Sequence, residues 1–159
     1  MKDKLEWLRA NGRENEEHAF VVHGTMADPR WLDPAIDAND RQPNWCYLGD
    51  PKIVNMGPVG LARFCTLRSW LSQWSYNDAN ADGPASAASI TKPVLVINNT
   101  ADDACTPSHA QRLFDGVAHD DRELRHIRGA THYYQGQREL AAEATGVVRD
   151  WMQRKGFNV

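Results

Sequence analysis

The stretch "ITKPVLVINNTADDACTPSHAQRLFDGV", residues 90–117, decides the fold. Its apolar run from Val94 to Asn98 predicts a buried parallel strand, because such strands are covered on both faces and lack an alternating pattern. A polar loop follows. Thr106 and Pro107 then predict the start of a helix, since threonine is a good N-cap and proline is tolerated in the first turn. The stretch therefore predicts one strand–loop–helix unit.

The next segment repeats this order. "DRELRHIRGATHYY", residues 121–134, predicts a strand near residues 123–127 and a loop that carries His132. A closing helix is expected from about Gln137 to Lys155. Strand, helix, strand and helix with such connections are typical of a parallel sheet covered by helices, so the predicted fold class is α/β.

The first part of the chain has a different pattern. Apolar spacing predicts a helix within about the first 17 residues, which either ends near Asn11-Gly12 or frays into the acidic "ENEEH", and a short strand at residues 19–22. An amphipathic helix is predicted over residues 60–76, and a short alanine-rich helix after Gly83-Pro84. Between residues 26 and 58 the chain is irregular and rich in proline. A loop of that length is often a lid or cap.

Composition excludes several kinds of partner. The 159 residues suffice for one ordinary domain, and 42% hydrophobic with 25% charged residues is close to a globular average. The net charge of −3 gives no electrostatic reason to expect a nucleic acid or an acidic membrane. The charged N-terminus lacks the apolar core of a secretion signal, and no apolar run approaches the roughly 20 residues that cross a bilayer.

The cysteines and histidines suggest no metal. Cys46, Cys65 and Cys105 are odd in number and widely spaced, which fits neither a disulfide framework nor a zinc knuckle. They are interpreted as reduced thiols of a cytoplasmic protein. Four histidines lack ligand-like spacing: His23, His109, His119 and His126. Neither a metal nor a cofactor is expected.

Asp102 and His132 are the candidate catalytic residues. Each follows one of the two predicted parallel strands, about thirty residues apart. Ligands of open α/β sheets bind beyond the carboxyl ends of the strands, and both residues are expected at that edge. There the carboxylate can accept a hydrogen bond from the imidazole, fix its tautomer and stabilise its cation.

A family resemblance rests on the same residues. "KPVLVINNTADDACTPSHAQRLFDGV" followed by "RHIRGATHYYQGQRELAAEATGVVRDWMQRKGF" resembles the last third of an α/β-hydrolase, over about residues 88–157. The resemblance implies that Asp102, rather than Asp103, is the acid of a catalytic triad and that His132 is the base. It also implies serine-type hydrolysis of an ester, thioester or related acyl bond in a small-molecule substrate, without a cofactor.

The nucleophile of that family is missing. It lies upstream of the acid, on a strand-to-helix turn written Gly-x-Ser-x-Gly. None of the upstream serines has such glycines: Ser69, Ser72, Ser75, Ser86 and Ser89. Gly57 and Gly60 enclose no nucleophile, and Cys65 is expected to lack the strand-to-helix turn. A complete small hydrolase with Ser69 or Cys65 as an unusual nucleophile remains an alternative.

The resemblance also suggests how the chain is divided. "FVVHGT", residues 20–25, resembles the strand that provides an oxyanion-hole amide, but the 70 or so residues that follow are too few for the rest of a catalytic half. The favoured interpretation makes residues 1–88 a helical and irregular cap or lid. Residues 89–159 are then the C-terminal part of an α/β-hydrolase-type parallel sheet with flanking helices.

A competing hypothesis belongs to another class. The chain would be a truncated or non-catalytic hydrolase-like module. A second copy, or a complementing N-terminal hydrolase half, would cover the exposed edges of its sheet, because two parallel strands alone make a poor independent domain.

Overall fold

A computed structural model describes residues 1–16, 18–22, 29–56 and 64–158. Within these ranges the protein is a mixed α/β structure with six α-helices and two small sheets. The elements in chain order are α1 (Lys2–Ala10), β1 (Ala19–Val21), a 3-10 turn (Pro29–Trp31), α2 (Pro51–Met56), β2 (Phe64–Thr66), α3 (Leu67–Gln73), α4 (Gly83–Ala87), β3 (Val94–Asn99), α5 (Pro107–Gly116), β4 (Arg122–Ile127) and α6 (Arg138–Arg154).

Three sequence features lie outside the described residues: the His23-Gly24 pair of the oxyanion interpretation, and Gly57 and Gly60. None of the described helices has the length and apolar character required to span a bilayer. The elements form two compact units, which are described separately. One comprises Met1–Ala27 and Lys52–Asp82, and the other comprises Asp28–Pro51 and Gly83–Val159.

In the first unit, β1 and β2 pair antiparallel, with Ala19 opposite Thr66 and Val21 opposite Phe64. Helix α1 packs against α3 and buries Leu5 and Leu8. Of the two predicted ends of the first helix, the one near Asn11-Gly12 is confirmed, because α1 stops at Ala10 and Gly12 has a φ of +67° that favours glycine.

The helix predicted over residues 60–76 is shorter than expected. Residues Phe64–Thr66 are the strand β2, and α3 begins only at Leu67. Thr66 is the reason, because its hydroxyl accepts the backbone N–H of Ser69 at 3.2 Å and caps the helix. The apolar spacing simply continues across the strand–helix junction, so the sequence pattern alone did not reveal it.

In the second unit, β3 and β4 pair in parallel, from Val94 opposite Arg122 to Asn99 opposite Ile127. Helix α5 connects them and α6 follows β4, so the predicted strand–helix–strand–helix order is confirmed. Thr106 is the N-cap residue of α5 by position. Its side chain makes no capping bond and instead accepts from Arg30 Nη1 at 3.3 Å.

One buried cluster of the second unit lies between β4 and α6. Ile127 and Ala130 are fully buried, and Ala144 of α6 is nearly so. The side chains of four partly buried residues pack around them: Ile97, Tyr134, Leu140 and Val147. This packing anchors the loop between β4 and α6 at both ends, and that loop carries His132.

The α/β class predicted from the sequence is confirmed, and the described parallel sheet has two strands. Residues Asp28–Pro51 of the proline-rich tract belong to the same compact unit as the parallel pair. The assignment of residues 1–88 to a cap stays a prediction.

Candidate active site

The site lies at the carboxyl ends of β3 and β4. Beyond the strands, the two connecting loops continue side by side. The backbone N–H of Thr100 donates to the carbonyl of Ile127 at 3.0 Å, and that of Ala101 donates to Ala130 at 3.0 Å. These two bonds bring the loop after β3 against the loop after β4, which is why residues thirty positions apart can meet there.

Asp102 is held by its own loop. The residue is 6% exposed, and its Oδ1 accepts the backbone N–H groups of Ala104 at 2.7 Å and Cys105 at 2.6 Å. This is the usual turn formed by an aspartate with the backbone that follows it. The two amides fix the carboxylate in one orientation, and Oδ2 remains for a further partner.

That partner is His132, as the sequence predicted for the two positions. Its Nδ1 lies 3.1 Å from Oδ2 and 3.2 Å from Oδ1 of Asp102. A neutral imidazole that donates from Nδ1 carries its lone pair on Nε2. Among the described residues, Nε2 has no hydrogen-bond partner, and the side chain is 31% exposed. The ring is therefore oriented at one nitrogen and open at the other.

Asp103 has a different task from Asp102. Its Oδ1 accepts the backbone N–H of His132 at 3.3 Å, and its carbonyl accepts the backbone N–H of Tyr47 at 3.0 Å. Asp103 thus binds the backbone of His132 and of Tyr47, whereas Asp102 binds the imidazole ring of His132.

Two tyrosines border the imidazole. The ring of Tyr133 meets that of His132 edge-on, with centroids 4.7 Å apart, and Tyr47 lies 6.0 Å from His132 and 5.8 Å from Tyr133. Burial, together with the neighbouring Tyr133 and two thiols, raises the pKa of the Tyr47 phenol. The sequence did not indicate Tyr47, which lies in the irregular tract without a motif around it.

Gln137 and Asn99 fix the histidine loop from behind. Gln137 Nε2 donates to the carbonyl of Gly129 at 2.8 Å, while its Oε1 accepts from Thr131. Asn99 Nδ2 donates to the carbonyl of Thr131 at 3.0 Å, and the hydroxyl of Tyr134 donates to Asn99 Oδ1 at 2.7 Å. Neither amide was predicted, because an isolated Asn or Gln in a sequence does not show which loop it will bind.

Three of the upstream serines make local hydrogen bonds. Ser69 belongs to the capping box of α3, the hydroxyl of Ser75 donates to Asp78 at 2.9 Å, and that of Ser89 donates to the carbonyl of Ser86 at 2.8 Å. Cys65 is buried inside β2, opposite Phe20, and Thr66 separates it from the start of α3. Ser69 and Cys65 belong to the first unit, and Asp102 and His132 to the second.

Cys105 is a further residue of the site that the sequence did not indicate. Its Sγ, a carboxylate oxygen of Asp102 and a ring nitrogen of His132 all lie within 4.8 Å of one another. Cys105 is exposed as a residue, yet desolvation of its thiol and the charge of Asp102 raise the pKa of that thiol. The three-residue spacing between Asp102 and Cys105 in one loop was the available signal.

The fold and the site define a class: a mixed α/β protein with a carboxylate–imidazole pair beyond the ends of two parallel strands. Comparisons of the chain with protein families, with curated proteins and with solved structures found no match. The function is therefore argued from the residues of the site.

Proposed function

We propose that residues 89–159 are the acid–base part of an α/β-hydrolase-type enzyme, with residues 1–88 as a cap-like region. The reaction is serine-type hydrolysis of an ester, thioester or related acyl bond in a small molecule. The observation that supports it is the contact of 3.1 Å between His132 Nδ1 and Asp102 Oδ2 at the carboxyl ends of β3 and β4.

The chemistry follows from the two ring nitrogens. Nε2 of His132 takes the proton of an attacking hydroxyl and later gives it to the leaving group, and Asp102 stabilises the cation formed between these steps. No cofactor is needed. The nucleophile and the oxyanion-hole donors come from a complementing polypeptide or from sequence that precedes these residues.

A reducing compartment agrees with this proposal. The three cysteines of the chain form no disulfide among themselves. Disulfides are rare in the cytoplasm and common outside it. We therefore propose a cytoplasmic location.

Turnover of a p-nitrophenyl ester tests the role of the pair. His132→Ala should abolish hydrolysis, and Asp102→Asn should lower kcat by about four orders of magnitude, as the wrong tautomer does in other triads. The matched control is His126→Gln. His126 is exposed at the end of β4, and a glutamine there can keep the contact with Asn98. Turnover that survives His132→Ala would overturn the proposal.

A fluorophosphonate probe with peptide mass spectrometry then locates the nucleophile. An adduct on Ser69 would favour the complete small hydrolase and remove the need for another polypeptide. Folded protein without an adduct would mean that Asp102 and His132 need a nucleophile that this chain does not supply, as we propose.

One observation favours a second candidate, a non-catalytic module that acts through a partner. In the described part of the chain, β3 and β4 each pair on one side only. Unpaired parallel edges invite another chain. Light scattering that shows a dimer, with ester turnover absent, would support this candidate, and a cooperative monomer would count against it.

A further inference from the structure

Asp102, Cys105 and His132 bring three different donor atoms to one place. A carboxylate oxygen, a thiol sulfur and an imidazole nitrogen lie within 4.8 Å of one another. Oxygen, nitrogen and sulfur ligands together are typical of zinc, and three protein ligands with an open fourth position are typical of a zinc site that keeps a water. We propose that Asp102, Cys105 and His132 form a binding site for Zn²⁺.

The distances fit a tetrahedral ion. Ligand atoms at about 2.0–2.1 Å from zinc lie about 3.3 Å apart, and a sulfur at about 2.3 Å lies about 3.6 Å from the other two. The nitrogen and oxygen of His132 and Asp102 are already 3.1 Å apart. Only Sγ, which lies within 4.8 Å of the other two atoms, has to approach, by at most about 1.2 Å, which a small rotation of the exposed Cys105 side chain provides.

The surroundings hold the ligands in place. The amides of Ala104 and Cys105 bind Oδ1 of Asp102, so Oδ2 is directed at the ring of His132. Asp103 holds the backbone of His132 from the other side. Hydrogen bonds of this kind to the ligands are the usual outer support of a metal site. Binding releases the thiol proton to solvent, because a thiolate is the ligand. The Nδ1 proton of His132 moves through solvent to Nε2, so that Nδ1 offers its lone pair to the metal.

Zinc would occupy the carboxylate and the imidazole that the proposed hydrolysis requires. The metal therefore competes with acid–base catalysis at the same residues. Binding itself does not rest on the proposed function, because it is measured with no acyl substrate present.

Cobalt reports the thiolate ligand directly. Metal-free protein titrated with Co²⁺ should bind one equivalent and show a thiolate-to-cobalt charge-transfer absorption, which Zn²⁺ abolishes by displacement. Cys105→Ser should remove that absorption and weaken Zn²⁺ binding at least about 100-fold, since loss of an outer-shell partner alone costs ten- to a hundredfold. His132→Ala should weaken Zn²⁺ binding similarly.

Two controls keep the result specific. Cys46→Ser replaces a buried thiol that donates to the carbonyl of Gly49, which serine can also do, and should keep the absorption. His126→Gln should leave Zn²⁺ affinity unchanged. Folded wild-type protein without the charge-transfer absorption, or unchanged Zn²⁺ affinity in Cys105→Ser, would overturn the proposal. Ester turnover is a separate readout, so either proposal can fail while the other stands.

Discussion

Thr131 donates two hydrogen bonds to Oε1 of Gln137, from its backbone N–H at 2.9 Å and from its hydroxyl at 3.1 Å. Gln137 also donates to the carbonyl of Gly129. One amide side chain at the start of α6 therefore closes the loop that presents His132. The position of the imidazole depends on this amide as well as on Asp102.

Gln137→Ala should destabilise the protein by about 1–3 kcal/mol, because it leaves the N–H of Thr131 and the carbonyl of Gly129 without their partner. Urea denaturation measures the change. Gln135→Ala, an exposed glutamine two residues earlier, should change the free energy of unfolding by less than about 0.5 kcal/mol. Equal effects of the two substitutions would show that Gln137 does not close the loop.

Two helical glycines differ in the space around them. A Cβ at Gly116 of α5 would lie 2.7 Å from the carbonyl oxygen of Pro84, whereas a Cβ at Gly146 of α6 meets nothing within 4 Å. Gly116→Ala should therefore lower the melting temperature, because α4 must move away. Gly146→Ala should raise the melting temperature, because alanine is the better helix former. The free energy of unfolding should rise by up to about 1 kcal/mol. A neutral Gly116→Ala would contradict the close approach of α4 and α5.

The lowered pKa of the Asp37 carboxyl predicts how the stability of the protein depends on pH. Burial alone would raise the pKa of its carboxyl, but hydrogen bonds from Ser108 and Thr106 and the charge of Arg30 outweigh it and lower the pKa. The serine contributes both its backbone N–H and its hydroxyl, the latter at 2.6 Å. A lowered pKa in the folded state stabilises the protein above the ordinary pKa of aspartate, and this stability is lost as the pH falls through the lowered value.

Asp37→Asn should accordingly cost about 1–2 kcal/mol at neutral pH and little in acid below the lowered pKa. Asparagine also tolerates the positive φ of 51° at this position. Urea denaturation of wild type and variant across this pH range measures the difference. Asp33→Asn, on an exposed turn, is the control. A difference that stays constant with pH would contradict the account of Asp37.

Local sequence patterns were enough to predict the strands and helices that carry the site. The apolar run of β3, the proline that opens α5 and the order of the last two helices are properties of short segments, and neighbouring parallel strands must bring Asp102 and His132 to one edge. The other residues of the site could not be predicted in this way. Contacts between distant loops, or the path of a single loop, determine where Tyr47, Gln137 and Cys105 lie. A periodic sequence pattern does not predict such contacts. The start of α3 was missed for a related reason, because the apolar spacing does not distinguish the strand from the helix.

Asp102 should dictate which nitrogen of His132 carries the proton. Its Oδ1 accepts two backbone amides, so an asparagine at this position must place its oxygen there. The NH₂ group of the asparagine then faces Nδ1 of His132, where Oδ2 now lies at 3.1 Å. Because that group can only donate, the imidazole has to accept at Nδ1 and carry its proton on Nε2.

The most direct test is the nitrogen-15 NMR spectrum of the histidine side chains in metal-free protein in alkaline buffer. We predict that His132 is protonated at Nδ1 in the wild type and at Nε2 in Asp102→Asn, while His126 keeps one tautomer in both. A wild-type His132 protonated at Nε2, or a tautomer that Asp102→Asn leaves unchanged, would show that Asp102 does not orient the imidazole as a base.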